Sequence, residues 1–288
     1  MIPGQFEYHA PSTLDEALAL LAEHGSDARV LAGGQSLIPL MKLRLASPGV
    51  LVDLNGVDSL SGIEEGDGQL RIGAMTRHSA LERSELIASR YPLIADAAAV
   101  IADPLVRNRG TTGGSLAHAD PAGDLGSVMT ALGAEVGVAG PGGERTLSID
   151  ELLLGPFMTT LDEGEILTEV RVPQPTDGSG GAYENLERKV GDFATAAVAV
   201  QITRSNGSCS AAGIGLTAVG PTTIRASEAE DSLLGSSLDE EALRTAAELA
   251  AAASDPAADL RGSEEYKRDM VRVLTLRALR RAVERAGG

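Results

Sequence analysis

The chain has 288 residues and a mass of 29.6 kDa, enough for two domains whose cores need no covalent staples. Hydrophobic residues make up 43% of it and run along its whole length, which excludes an intrinsically disordered chain; the net charge of −17 excludes nucleic acid and anionic membrane surfaces as partners. The single cysteine, Cys209, excludes an intrachain disulfide and cannot alone hold an iron–sulfur cluster or a structural zinc, so any such centre belongs to another chain.

The opening MIPGQFEYHAPST has no basic n-region and no apolar h-region, and no run of roughly 18 apolar residues follows anywhere, so the sequence reads as cytoplasmic and without a transmembrane segment. Ser12 and Asp15 resemble a capping pair, and apolar residues at helical spacing predict a helix from about Thr13 to His24. ARVLAG then reads as a buried strand, Gly33-Gly34 as a turn, LIPLMKLRLA as a helix or extended run stopped before Pro48, and VLVDL as another buried strand. Gly66-Asp67-Gly68 marks a hairpin. Helices are predicted from about Thr76 and over 91–102, the latter with an alanine-rich face suited to close packing.

The next stretch, DPLVRNRGTTGGSLAHADPAGD, has no period and is longer than an ordinary connection of about 4–6 residues; such loops are usually functional. LGSVMTALGA reads as a helix, AEVGVAGPGGERTLSI as a hairpin, and EILTEVRVP as a strand. PQPTDGSGG, rich in Pro, Gly and Ser, reads as a linker between domains 1–177 and 178–288. Beyond it AYENLERKV, ATAAVAVQITR and SCSAAGIGLTAVG predict three antiparallel strands, with Asn206-Gly207 turning the second into the third, followed by two or three helices. In the last of these, Leu274, Leu276, Leu279 and Val283 form the inward face. Both halves read as α+β rather than as a regular βαβ alternation.

Two glycine-rich loops carry the chemical information. In LAGGQS, Gly33 and Gly34 have no side chains, so backbone N–H groups there can line a concave nest for a phosphate, with Gln35 and Ser36 adding polar side chains; the bland alternative is a strand-to-helix turn. The spacing is not G-x-G-x-x-G. In RGTTGGSLAHADPAGD, Gly113 and Gly114 repeat the device between Thr111, Thr112 and Ser115, with Asp120 and Asp124 following. Two such loops favour a pyrophosphate-bearing cofactor, whose ribose or ribityl hydroxyls a carboxylate can accept from. His118 and Asp120 lack further ligands at metal spacing, and His9, His24 and His78 stand alone and read as surface positions. There is no G-x-S-x-G elbow, P-loop or H-E-x-x-H, hence no machinery for hydrolysis or phosphoryl transfer.

With both loops in place, the whole chain resembles the FAD-binding medium subunits of the molybdenum hydroxylases, the xanthine dehydrogenase family, and within it the carbon monoxide dehydrogenase branch. LAGGQSLIPLMKLRLASPGVLVDL, IGAMTRHS, IADPLVRNRGTTGGSLAHADPAGD, GEILTEVRVP and RKVGDFATAAVAV carry the likeness. The resemblance implies an α+β fold: an FAD-binding domain of the PCMH or vanillyl-alcohol-oxidase type made of two α+β subdomains, then a domain with a three-stranded antiparallel sheet and a helical bundle. It implies that Leu31, Ala32, Gly33, Gly34, Gln35, Ser36 and Leu37, together with Thr111, Thr112, Gly113, Gly114 and Ser115, hold the FAD pyrophosphate and adjoining groups. Asp124 would bond flavin-side hydroxyls, Ile101 and Leu167 would pack near the rings, and Phe193 would lie by the isoalloxazine.

The implied activity is that of an oxidoreductase subunit. Electrons leave a substrate at a molybdopterin-type molybdenum cofactor in a large subunit, cross two [2Fe-2S] clusters in a small subunit and reach FAD here, in a dimer of heterotrimers, before passing to an external acceptor. The medium subunit of a related N-heterocycle or aldehyde hydroxylase is the first competing reading, followed by a stand-alone FAD oxidase and a flavin-free scaffold subunit. Three positions depart from the family pattern the resemblance implies: Ser115 stands for a common Asn, Phe193 for a Tyr, and the lysine expected beside Asn185 is absent.

Overall fold

The computed structural model describes residues 2–287. The first 55 or so residues alternate strand and helix: β1 (Glu7–His9), α1 (Leu14–His24), β2 (Ala28–Leu31), α2 (Leu37–Lys42) and β3 (Val50–Asp53). The strands form a parallel sheet in the order β1-β3-β2, so this segment is locally a βαβαβ unit within a chain that is otherwise α+β with antiparallel sheets, as expected. The capping pair of α1 lies one residue further on than expected: Thr13 accepts from the Glu16 N–H, and the Glu16 carboxylate accepts from Ser12. β3 is buried at all four positions, as a strand covered on both faces must be, and Val50 and Val52 pack with Ala17 and Leu21 of α1.

The second subdomain is built on an antiparallel sheet. β4 (Ile63–Gly66) and β5 (Gln69–Gly73) form the expected hairpin, β6 (Glu135–Gly140) and β7 (Gly143–Ser148) a second, and the order is β4-β5-β10-β6-β7 with β10 (Ile166–Pro173) central. A small ribbon pairs β8 (Leu153–Gly155) with β9 (Met158–Thr159). Helices α3 (His78–Arg83), α4 (Glu85–Arg90) and α5 (Pro92–Val100) cross between β5 and β6, and α9 (Ile149–Leu152) follows β7. The stretch read as a long aperiodic loop instead holds α6 (Pro104–Arg107), α7 (Thr112–His118) and the start of α8 (Asp124–Ala131). The reason is capping: Asp103 accepts from Val106 N–H and Thr111 from Gly114 N–H, which start two helices too short and too glycine-rich to show a period.

The C-terminal part adds β11 (Ser179–Leu186), β12 (Ala196–Ser205) and β13 (Ser208–Thr217), joined as expected through Asn206 and Gly207, both at positive φ. A two-residue strand, β14 (Ile224–Arg225), pairs with β13, so the sheet has four strands rather than three. α10 (Ser227–Leu233), α11 (Glu240–Ala253) and α12 (Glu264–Arg285) cover one face. β12 is buried on both faces: Ala196, Val198, Val200 and Ile202 join Leu274 and Leu279 of α12, while Ala197 and Ala199 join Leu125 and Met129 of α8. Each fully buried Leu or Met there contributes about 1.5–3 kcal/mol. Gly213 and Gly215 of β13 face the backbone of Ala131 and Ser127, where a Cβ has no room, so α8 lies directly on the sheet.

Polar contacts reinforce this joint. Asp96 of α5 accepts from Arg281 (2.9 Å), from Arg285 (2.6 and 3.0 Å) and from the Tyr183 N–H (3.3 Å). The arginines of α12 nearest its end therefore serve the domain contact. Among the described residues, no helix is long and apolar enough to cross a membrane.

Candidate functional site

β2 runs out of the parallel sheet into residues 32–36, and α2 begins at Leu37. A site at the carboxyl end of a parallel strand, facing the start of the next helix, is where open sheets of this kind take ligands. Gly34 adopts φ +73°, which a residue with a Cβ adopts only at a cost of about 1–2 kcal/mol. The Gly33 constraint is contact instead: a Cβ there would lie 2.7 Å from the Gly110 Cα and 3.0 Å from the Arg109 carbonyl carbon. The two glycine loops thus touch backbone to backbone. Gly114 repeats the contact from the other side, since its Cβ would meet Ala32 at 3.1 Å.

The loops differ in what their N–H groups do. In the second loop those of Thr112 to Ser115 are spent within the protein: Thr112 N–H donates to Thr76 O (2.9 Å), Gly113 to Ala74 O (2.8 Å), Gly114 to Thr111 Oγ1 (3.2 Å) and Ser115 to Thr111 O (3.0 Å). In the first loop, none of the N–H groups of Gly33, Gly34, Gln35, Ser36 and Leu37 donates to a protein acceptor among the described residues. Five consecutive unspent donors, with Gly34 at positive φ among them, are what an anion nest requires. The expectation of two equivalent clamps is thereby refined: the first loop supplies donors, and the second is a wall stitched to residues 74–78 that fixes the first.

A polar strap ties the loops from behind. Asn55 Nδ2 donates to Ala32 O (3.0 Å), and the Arg77 guanidinium bridges Asn55 Oδ1 and Arg109 O. Asp53 accepts from Asn55 and, at 2.6 Å, from the Tyr8 hydroxyl. His78, read from sequence as a surface residue, is 4% exposed because its N–H pairs with Gly110 O (3.1 Å) and Gly110 packs on its ring. Burial, with Arg77 and Arg107 nearby, pushes its imidazole down to about 4, so it is neutral at pH 7.

The loops open into a cleft of about 740 Å³, within the range of small-molecule and cofactor sites. Of the residues singled out in sequence, Ala32, Gly33, Gly34, Gln35, Ser36, Leu37, Ile101, Thr111, Gly114, Ser115, Asp124 and Phe193 line it. Four do not. Leu31 packs with Met41 and Leu51, Thr112 and Gly113 are sealed against residues 74–76, and the Leu167 side chain belongs to the core of the antiparallel sheet. Phe193 sits at the rim, 52% exposed, on a loop held by Asp192, which pairs with Arg188 and Arg261.

Sequence reasoning missed His78, Phe157, 161–165 and Asp192 as cleft residues. Phe157 stacks against His118 with ring centres 5.2 Å apart. The fragment GEILTEVRVP pointed at 164–165, but nothing local marked Phe157. The cleft wall carries Asp120, Asp124, Asp162, Glu163, Glu165 and Asp192 against Arg29 alone, and Arg29 Nη1 is bonded to backbone carbonyls. Glu165 and Asp192 are already paired with Arg145, Arg188 and Arg261, so an anionic group entering the cleft would meet backbone donors at 33–37, and the remaining carboxylates suit hydroxyl donors.

Asp124, at the first turn of α8, accepts from the Tyr183 hydroxyl of β11 at 2.7 Å. Burial pushes its carboxyl up to about 6, against the opposing effect of that hydrogen bond. The Tyr183 hydroxyl is itself driven well above its usual range by burial and by Asp124. Ser127 and Thr217, bonded at 2.5 Å, complete a polar seam by which the C-terminal sheet buttresses the cleft.

Residues 4–175 match the family of FAD binding domains in molybdopterin dehydrogenases, and residues 181–282 match the CO dehydrogenase flavoprotein C-terminal domain. The chain is 48% identical over 286 residues to the carbon monoxide dehydrogenase medium chain of Afipia carboxidovorans, covering 99% of this chain and 98% of that one. It is 42% identical to the 6-hydroxypseudooxynicotine dehydrogenase complex subunit alpha of Paenarthrobacter nicotinovorans, covering 99% and 97%. The solved carbon monoxide dehydrogenase of Hydrogenophaga pseudoflava has a chain that superposes with a TM-score of 0.96 at 48% identity, over 99% of both chains. The chain therefore belongs to the family of FAD-binding domains of molybdopterin dehydrogenases, here joined to a C-terminal domain of the CO dehydrogenase flavoprotein type.

Proposed function

We propose that this chain is the FAD-carrying medium subunit of a molybdenum hydroxylase, with carbon monoxide as the reducing substrate of the complete enzyme. The observation that carries the cofactor assignment is the row of unspent N–H donors at 33–37 in a cleft whose charged lining is mostly carboxylate. That donor set fits a pyrophosphate flanked by hydroxyl-bearing arms. Gly33 to Leu37 bind the pyrophosphate, Thr111 to Ser115 fix that loop, and Asp124 accepts from flavin-side hydroxyls. Ile101 and Phe193 bound the ring end, and Leu31, Thr112, Gly113 and Leu167 act from behind as packing. FAD, when bound, supplies redox chemistry in one- and two-electron steps.

The chain's own work is to seat that group, orient it and limit water at the reacting end. The division into 1–177 and 178–288, the dimer of heterotrimers with a molybdenum subunit and a [2Fe-2S] subunit, and a cytoplasmic location belong to the same reading. The relatives named as a medium chain and as a subunit of a complex support the assembly. A second reading keeps the subunit role and changes the substrate to an N-heterocycle-derived compound, which the 42% identical relative favours.

The test is purification of the chain with its neighbours, release of the yellow cofactor by acid and its identification as FAD. A colourless complex would support a scaffold. A monomeric flavoprotein with its own substrate turnover would support a stand-alone oxidase.

A further inference from the structure

Upstream of the first glycine loop, three side chains that read as unrelated in sequence are brought together. Glu7 and His9 lie two apart on β1 and so share one face of the strand. His24 is the last residue of α1, where the carbonyl ends of the helix favour positive charge. Their donor atoms all lie within 4.8 Å of one another. His9 Nε2 is 3.7 Å from Glu7 Oε2, and the His9 and His24 rings are 5.4 Å apart with a 30° tilt.

The telling atom is His9 Nε2. It is covered by its neighbours yet has no hydrogen-bond partner among the described residues. Buried polar atoms are nearly always paired, and the exceptions call for a reason such as an ion or water between the groups. We propose that Glu7, His9 and His24 form a site for one divalent transition-metal ion of the zinc, cobalt or nickel class.

Two imidazoles and one carboxylate are the donor set such ions take, with a fourth position left to water. Magnesium and calcium, which require oxygen ligands, are excluded by the same set. Bond lengths of about 2.0–2.2 Å require the three donors to close slightly around the ion. Glu7 is exposed and both histidines are only partly buried, so their side chains are free to do so. The ion would fasten the first strand to the end of α1. The chain then runs through β2 into the loop carrying Gly33, so the staple steadies the parallel sheet from which that loop springs.

The test uses the full-length chain without a histidine tag, stripped with a chelator. Cobalt(II) titration is followed by visible d–d absorption and zinc binding by calorimetry. One ion per chain is expected, with cobalt displaced by zinc and no response to magnesium. His9→Gln and His24→Gln should each weaken zinc binding more than about a hundredfold, beyond what loss of an outer-shell partner alone causes. Saturating zinc should raise the Tm of the parent chain and leave both variants unmoved. Far-UV circular dichroism checks that the variants are folded, and Glu7→Gln, on an exposed side chain, gives a third readout with no risk to the core. Absence of saturable binding, or binding of equal strength in the variants, overturns the site.

Discussion

Replacing Gly33 by alanine adds one methyl group at the point where the two loops meet. That methyl would sit 2.7 Å from the Gly110 Cα and 3.0 Å from the Arg109 carbonyl carbon. Both are backbone atoms in a segment stitched to residues 74–78, so neither can swing aside as a side-chain tip would. The Arg109 carbonyl oxygen would lie closer still, so to reach an ordinary contact of 3.4 Å the loops must part by about 1 Å. Overpacking of this kind costs about 1–3 kcal/mol. For a chain of this size that lowers the Tm by roughly 2–4 °C per kcal/mol. The flavin should suffer more: losing even one charge-assisted N–H contact costs about 1.5–3 kcal/mol, roughly ten- to hundredfold in Kd.

Gly33→Ala should therefore lower both stability and flavin affinity. The assay is thermal unfolding of the flavin-free chain beside FAD titration. Gly68→Ala is the control: it lies in the β4–β5 turn at φ +77° with nothing within 4 Å of its Cβ, so it should lose about 1 kcal/mol of stability and no flavin affinity. A Gly33→Ala chain with the parent's Tm and FAD affinity would refute the loop-contact reasoning.

Asn55→Ala removes the strap between Ala32 O and Arg77, and should weaken FAD about tenfold with a stability loss of about 1 kcal/mol, read by flavin titration and urea unfolding. Asp96→Ala leaves Arg281 and Arg285 without their shared carboxylate, and because these pairs are partly solvent-screened the expected loss is about 1–2 kcal/mol in urea unfolding. The pH dependence of stability should expose two opposed groups. With Asp124 raised from 3.8 to about 6, the folded chain holds a proton between those values that the unfolded chain has shed, so acidification through this window stabilises. With His78 lowered from 6.5 to about 4, the folded chain lacks a proton that the unfolded chain has bound, so acidification destabilises. Relative to the parent, Asp124→Asn should lose stability on going from pH 6.5 to 4 and His78→Gln should gain it; parallel urea midpoints for all three chains would contradict both assignments.

What was legible in the sequence was whatever local chemistry determines. The Ser12–Asp15 signal located the start of α1 to within one residue of its Thr13 cap, and Asn206-Gly207 and the apolar, β-branched run of β12 specify their elements within a few residues. α7 was not legible because its TGGSLAH has no apolar period; only the Thr111 cap and the pairing of its N–H groups with residues 74–76 make it a helix. β14 owes its two residues to β13 and has no pattern of its own. At the site, the glycine pairs announced themselves, but the difference between a donor loop and a supporting wall depends on Ala74, Thr76 and Thr111 as acceptors. His78 looked solitary because its burial comes from Gly110, far along the chain. The Tyr183–Asp124 bond joins residues 59 apart, which no local period encodes.

The central claim is that electrons reach this chain's flavin only through partner subunits. Its most direct test is anaerobic absorption of the flavin after adding carbon monoxide, first to the complete complex and then to the isolated FAD-loaded chain. The account predicts bleaching in the complex, none in the isolated chain, and full bleaching of both by dithionite. Bleaching of the isolated chain by carbon monoxide, or a complex that carries no flavin at all, would contradict it.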